Sequence, residues 1–104
     1  MKNQGFRLTI PALKVLKLFL GNVRKTRSGA DISRETGVGP GTLYPLLARF
    51  EQLGFFTSEW EDVEPATVGR PRKRLYKISG AGMKVAQDAV ADVRSVGGAA
   101  SWAK

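Results

Sequence analysis

Residues 28–54 run SGADISRETGVGPGTLYPLLARFEQLG, and the punctuation of this stretch decides the fold. Ser28 is an N-cap residue type ahead of a short helix over Gly29–Thr36. Asp31 falls in or near its first turn, where a negative charge suits the positive end of the helix dipole. Gly37 ends that helix, because glycine reaches the left-handed conformation without a Cβ penalty. Val38–Gly41 is a tight link, and a third helix is predicted over Pro40–Leu53 with Gly54 as its stop. Leu43, Leu46, Leu47, Phe50 and Leu53 share one face of it; Thr42, Tyr44, Arg49 and Gln52 take the other. Two short helices joined by a glycine turn form a helix-turn-helix pattern, with the second helix presenting its polar face outward.

Downstream, Phe55–Glu61 has the aromatic content of a strand, with Phe56 and Trp60 on one face. Trp60 is expected to fix this strand against the helices. Asp62–Gly69, with Pro65 and Gly69, is predicted to be a loop, and Arg72–Ile78 a return strand with Leu75 and Tyr76 on opposite faces. A hairpin placed directly after the second helix of the pair is a wing. Upstream, Thr9 caps a helix running to about Leu20, with Pro11 in the first turn. Leu13, Leu16 and Leu20 make one stripe, and Val15 and Leu18 lie off it. Val23–Thr26 is a connector carrying Arg24 and Lys25, with room for a short edge strand. Ser79 and Gly80 start a last helix over Ala81–Val96; Met83, Ala86, Val90 and Val93 line one face, and Val85, Ala89 and Val96 a second edge. Met1–Arg7 and Gly97–Lys104, with Trp102, are expected to be tails. The expected fold is mostly α with a small β-hairpin: a winged helix-turn-helix in the order α-α-α-β-β-α. Residues 1–80 form the winged domain, and residues 81–104 supply a C-terminal dimerisation helix and tail.

A chain of 104 residues is the usual size of one domain. Its formal net charge of +8, from 17 Lys and Arg against nine acids, suits a polyanionic partner. A solvated basic surface is the alternative meaning of the same charge. Cysteine and histidine are both absent, which excludes disulfides, thiol catalysis, the soft ligands of structural zinc and the usual general base near neutral pH. The acids are scattered or gathered in the short run Glu59–Glu64, with no cofactor motif beside them. No catalytic residue, cofactor or metal is therefore expected. No apolar run approaches the roughly 20 residues of a membrane span, and Met1–Gly5 lacks a signal-peptide core. A cytoplasmic location without membrane contact is expected.

Two stretches carry the chemistry. Gly69-Arg70-Pro71-Arg72-Lys73-Arg74-Leu75-Tyr76-Lys77 holds five cations in nine residues, at the hairpin tip and on its return strand. Arginine forks onto phosphate, lysine acts as a point charge, and a compact Gly-Arg-Pro tip fits a minor groove. Cations on an edge strand also serve to block strand aggregation. The third helix opens Gly39-Pro40-Gly41-Thr42, with free N–H groups that suit a phosphate. The DNA-binding candidates are thus Ser28, Gly39, Gly41, Thr42, Tyr44, Arg49, Arg70, Arg72, Lys73 and Arg74. Tyr44 is also readable as an aromatic at the core edge. Pro45 costs the third helix one internal hydrogen bond. The first and last helices are each apolar on two sides, either to fill the domain's own core or to pair two copies through Val15, Leu18, Val85, Ala89 and Val93.

The segments Gly41-Thr42-Leu43-Tyr44-Pro45-Leu46-Leu47, Phe50-Glu51-Gln52-Leu53-Gly54-Phe55 and Gly69-Arg70-Pro71-Arg72-Lys73, with Tyr76-Lys77-Ile78-Ser79 and Gly82, resemble the PadR family of bacterial winged-helix regulators. The resemblance covers about Ser28–Gly82. It implies dimeric repressors on palindromic operators, with the third helix in the major groove and the wing tip at the minor groove or backbone. Carried over by position, Thr42, Tyr44 and Arg49 belong to the recognition helix, and Arg70, Arg72 and Lys73 to the wing. It also implies, for some members, a small aromatic or lipophilic effector near the dimer interface. Thr26-Arg27-Ser28-Gly29 stands where many members carry His-Gly-Tyr, and the single last helix matches the short subgroup. The expected function is a sequence-specific DNA-binding transcription regulator, acting as a homodimeric repressor on double-stranded DNA. A nonspecific or architectural nucleic-acid binder is the alternative; a protein-interaction module and an enzyme rank behind both.

Overall fold

The computed structural model describes residues 6–95. Of the expected N-terminal tail Met1–Arg7, residues 1–5 lie outside the described residues, as do Val96 and the expected tail Gly97–Lys104 with Trp102; Phe6, expected in the tail, instead packs edge-on against Phe50 at 5.2 Å and Phe55 at 5.8 Å. The chain runs α1 (Ile10–Gly21), β1 (Arg27–Ser28), α2 (Gly29–Thr36), α3 (Pro40–Gln52), β2 (Phe56–Trp60), α4 (Pro65–Val68), β3 (Arg74–Ile78) and α5 (Gly80–Ser95).

The helix boundaries follow from local chemistry. Thr9 caps α1 by accepting from the Ala12 N–H at 3.2 Å. Ser28 and Asp31 form a reciprocal capping box on α2: each side chain accepts the other's backbone N–H, at 3.1 and 3.2 Å. Gly37 ends α2 at φ 77°, and the Thr36 and Ser33 hydroxyls donate to the Ile32 and Val38 carbonyls, closing the turn into α3. Helix α3 continues through Pro45 without a break. Ser79 donates to the Gly54 carbonyl at 2.6 Å and caps α5 by accepting from the Gly82 N–H at 3.0 Å. Gly82 must be glycine, since a Cβ there meets the Phe55 carbonyl oxygen at 2.0 Å.

The sheet is three-stranded and antiparallel, in the order β1-β3-β2. The expected hairpin is present as β2 and β3, with Phe56 opposite Ile78 and Trp60 opposite Arg74. The edge strand falls at Arg27–Ser28, opposite Tyr76 and Leu75, and not at Val23–Thr26. Asp62–Gly69 is not wholly loop: Pro65 opens the short helix α4, which Gly69 ends at φ 72°.

One core joins the helices and the sheet. Leu16 and Phe19 of α1, Ile32 of α2, Leu43, Leu47 and Phe50 of α3, Phe56 and Ile78 of the sheet, and Val85, Ala86 and Ala89 of α5 are all buried in it. Phe56 lies tilted against Phe19 at 4.6 Å and meets Phe50 edge-on at 5.4 Å. This core answers the question left open for the two-sided helices. Val15 and Ala89 are 0% exposed and Val85 7%, because α1 and α5 pack on each other within one chain. The surplus apolar face expected at these three residues is consumed internally; Leu18 and Val93 stay half-buried.

Candidate nucleic-acid interface

Helix α3 turns Leu43, Leu47 and Phe50 inward, so its spacing pushes Gly41, Thr42, Tyr44, Pro45, Ala48 and Arg49 to the surface. Gly39 caps it through its backbone alone: no side chain caps it, and the Gly39 carbonyl takes the N–H groups of Thr42 and Leu43. Tyr44 stands at the edge of the core. It is 47% exposed, yet its ring lies across the start of α2, where a Cβ on Gly29 would come within 2.5 Å of it. Arg49 donates to Gln52 at 3.2 Å. Ser28, expected among the nucleic-acid contacts, is only 4% exposed, and its hydroxyl is spent on the α2 cap. It is a structural residue here.

The wing brings its cations together but does not leave them equivalent. Arg70 forks onto Glu61, Nη1 to Oε1 at 2.6 Å and Nη2 to Oε2 at 3.0 Å. The Lys73 N–H also donates to Glu61, at 3.2 Å, and the Glu61 N–H donates to the Lys73 carbonyl at 2.8 Å. The Arg70 hydrogen bonds first, then the Lys73 backbone bond and the two positive charges, outweigh desolvation and hold the Glu61 carboxyl at about 2. The same bonds raise the Arg70 guanidinium above its ordinary value. Arg72 donates Nε to the Val63 carbonyl at 2.8 Å while staying exposed, and Lys73 and Lys77 are exposed. Arg74 departs from expectation. It turns toward α3, donating Nε to the Ser58 hydroxyl at 3.0 Å with Nη2 3.8 Å from Glu51, and its guanidinium covers the Trp60 ring at 5.0 Å. Trp60 is therefore 61% exposed on the wing and braced by Arg74, and is not buried against the helices. Burial, and after it the Glu51 carboxylate, push the Tyr76 phenol above its ordinary value.

Several residues in this region carried no expectation. Glu61, Glu51 and Ser58 organise the wing cations; the acidic run Glu59–Glu64 facing a basic stretch across one turn was the available signal. Arg27 is 4% exposed, lies 4.9 Å over the Phe19 ring and 3.6 Å from Glu35, and leaves Nε and Nη1 without a hydrogen-bond acceptor. Among the described residues, no three His, Cys, Asp or Glu side chains are grouped to hold a metal. No described helix is long and apolar enough to cross a membrane.

The model of the Transcriptional regulator PadR-like family matches residues 27–88, which span β1 through most of α5 and take in both the helix pair and the wing. The chain belongs to the PadR-like family of transcriptional regulators. A PadR family transcriptional regulator from Eggerthella lenta superposes with a TM-score of 0.66 at 23% identity, covering 88% of this chain and 82% of that one. Overoxidized AbfR bound to DNA superposes with a TM-score of 0.66 at 18% identity, over 86% of this chain and 60% of that one. Both likenesses establish the winged-helix fold of this PadR-like chain. By sequence it is also similar to the ferric uptake regulation protein of Bordetella parapertussis, 32% identical over 71 residues. That match covers 64% of this chain and 51% of the relative, so the PadR-like chain spans about half the length of the curated protein it resembles.

Proposed function

We propose that this PadR-like chain is a sequence-specific DNA-binding regulator that represses transcription as a homodimer on an inverted-repeat operator. The observation that carries the reading is what the helix pair and wing leave exposed: Thr42, Tyr44 and Arg49 on the outward face of α3, and Arg72, Lys73 and Lys77 on the wing. A helix of this kind enters a major groove while a wing reaches the backbone or minor groove beside it. The net charge of +8 supplies the sequence-independent attraction. In this reading Gly39 and Gly41 let the start of α3 approach a phosphate, and Arg70 shapes the wing. Residues 1–80 read the DNA, and residues 81–104 with α1 pair two copies through Leu18 and Val93. A small aromatic or lipophilic effector would act on that pairing, and the protein would work in the cytoplasm.

Selection of bound DNA from a random pool, followed by sequencing, tests the proposal. Enrichment of an inverted repeat whose affinity survives competition by random DNA at about 150 mM salt supports it. A pool that stays random at every round removes it and leaves a nonspecific binder.

A further inference from the structure

The fully buried core reaches the wing at its base, with Tyr76 of β3 packed partly buried against it. In β2 and β3 the buried residues are Phe56 and Ile78, which face each other at the end nearest α3. Beyond them Thr57, Glu59, Trp60 and Lys77 are exposed, and Ser58, Arg74, Leu75 and Tyr76 half-buried. Apolar packing and the pairing of β1 with Leu75 and Tyr76 therefore anchor the lower part of the wing, while its outer end at Trp60 and Arg74 lies beyond both.

A chain of polar contacts reaches that end. Ser58 and Trp60 of β2, and Tyr76 and Arg74 opposite them on β3, lie on the sheet face that also carries Phe56 and Ile78, the face turned to the helices. The Ser58 hydroxyl donates to Glu51, near the C-terminus of α3. The same hydroxyl accepts from Arg74 Nε at 3.0 Å, and Arg74 Nη2 approaches Glu51 Oε2 to 3.8 Å. The Arg74 guanidinium also lies over Trp60 at 5.0 Å, so the chain spans from α3 across both wing strands. Each partner has directional geometry: a hydroxyl that relays between a carboxylate and a guanidinium, and a planar cation stacked on an indole. A half-exposed ion pair adds little to global stability. Its geometric effect is to tie the C-terminal end of α3 to the outer wing.

We infer that Glu51 is a positioning residue which, through Ser58 and Arg74, sets the wing so that α3 and the wing cations reach one DNA duplex together. This rests on the DNA-binding reading above. It makes an unusual demand, because Glu51 puts a negative charge beside a surface meant for a polyanion. Removing that charge by Glu51→Gln should tighten binding if charge alone matters. If position matters, binding weakens.

The experiment uses the full chain with the duplex recovered by selection, titrated at several salt concentrations. The proteins are the parent, Glu51→Gln, Ser58→Ala, Lys73→Ala and the double variant Glu51→Gln/Lys73→Ala, each with its melting temperature. The expected result is affinity reduced about tenfold in Glu51→Gln and in Ser58→Ala with the melting temperature nearly unchanged. The salt slope falls by about one in Glu51→Gln, and Lys73→Ala costs little more in that background because its contact is already lost. Tighter binding by Glu51→Gln, or free-energy losses of Glu51 and Lys73 that simply add, overturns the inference while leaving the DNA-binding reading intact. If Glu51→Gln fails to fold, Ser58→Ala and its double variant with Lys73→Ala carry the same comparison. A parent protein that binds no duplex at all removes the DNA-binding reading, and the inference with it.

Discussion

Arg70 grips both carboxylate oxygens of Glu61 across the wing, at 2.6 and 3.0 Å, and so closes the loop between β2 and β3 that a Gly-Arg-Pro sequence alone would leave open. A residue chosen for its charge thus serves first as a clamp. Glu61 titrates in the folded wing at about 2, against an ordinary value of 4.5. A depressed carboxyl contributes stability that is present above the unfolded value and lost as pH falls toward the folded one. We predict that the outer wing loosens between pH 4.5 and about 2 while the helical core persists to lower pH than the wing. Emission from Trp60 in a Trp102→Phe background, followed across that range, reports it. Glu61→Gln should start loosened and show no such transition; an identical acid transition in both proteins would sink the idea.

Gly29 and Tyr44 are similarly coupled. A Cβ at Gly29 would fall 2.5 Å from the Tyr44 ring, whose far end can swing away at small cost to the fold. We predict that Gly29→Ala leaves the melting temperature nearly unchanged but weakens specific DNA binding by about tenfold, through displacement of Tyr44 from the α3 surface. Combining it with Tyr44→Ala should add no further loss. Independent, additive losses would show that Gly29 acts by some other route.

Arg27 presents the opposite case, a cation with no outward role. Its aliphatic stem and guanidinium fill space over Phe19, and two of its N–H donors lack acceptors. A buried ion is often replaceable by an apolar side chain of similar volume, whereas truncation leaves a cavity. We predict that Arg27→Ala costs about 2–3 kcal/mol and Arg27→Met less than about 1 kcal/mol. Chemical denaturation gives both numbers. Equal, large losses in the two variants would mean that the charge itself holds α1, β1 and α2 together.

Local chemistry made most of the fold legible. Ser28, Asp31 and Gly37 bound α2 because capping and left-handed φ are decided within a few residues. The two-residue strand at Arg27–Ser28 has no such signal; it exists through pairing with Tyr76 and Leu75, far along the chain. Helix α4 was hidden because Pro65 reads equally as a breaker and as the first residue of a helix. In the site, composition located the wing cations but not their directions. Arg74 turns inward because Ser58 is its partner 16 residues earlier, a relationship no local pattern encodes. The same limit applies to α1 and α5: a second apolar edge calls for a second neighbour, and sequence does not say whether that neighbour is the same chain or another copy.

That last distinction can be measured. With Val15, Val85 and Ala89 committed to the internal core, the half-buried Leu18 and Val93 are the two of the five expected pairing residues left for a symmetric pair. We predict sedimentation at about twice the 11.3 kDa chain mass, reduced to one chain mass by Leu18→Arg with the circular-dichroism spectrum kept. A dimer unaffected by Leu18→Arg and by Val93→Asp would place the contact elsewhere.

The division of labour between α3 and the wing is the test on which the functional reading turns. Lys73 is exposed and free to meet a phosphate, so Lys73→Ala should weaken cognate and random DNA alike and lower the salt slope by about one. Arg72 keeps its charge exposed but is tethered to the Val63 carbonyl, so Arg72→Ala should act the same way with an added loosening of the loop. Arg70 and Arg74 are engaged by Glu61 and Glu51, so their loss should change wing geometry more than charge. Thr42 stands at the exposed start of α3, and Thr42→Ala or Thr42→Val should remove cognate affinity selectively, by about 1–3 kcal/mol if a base contact is lost. Arg49→Ala should do likewise, with part of its effect passing through Gln52. Titrations on selected and random duplexes across several salt concentrations separate these outcomes. Wing substitutions that alter only discrimination, with α3 substitutions that alter only general affinity, would reverse the two roles. Indifference to every one of them would mean that this surface does not meet DNA.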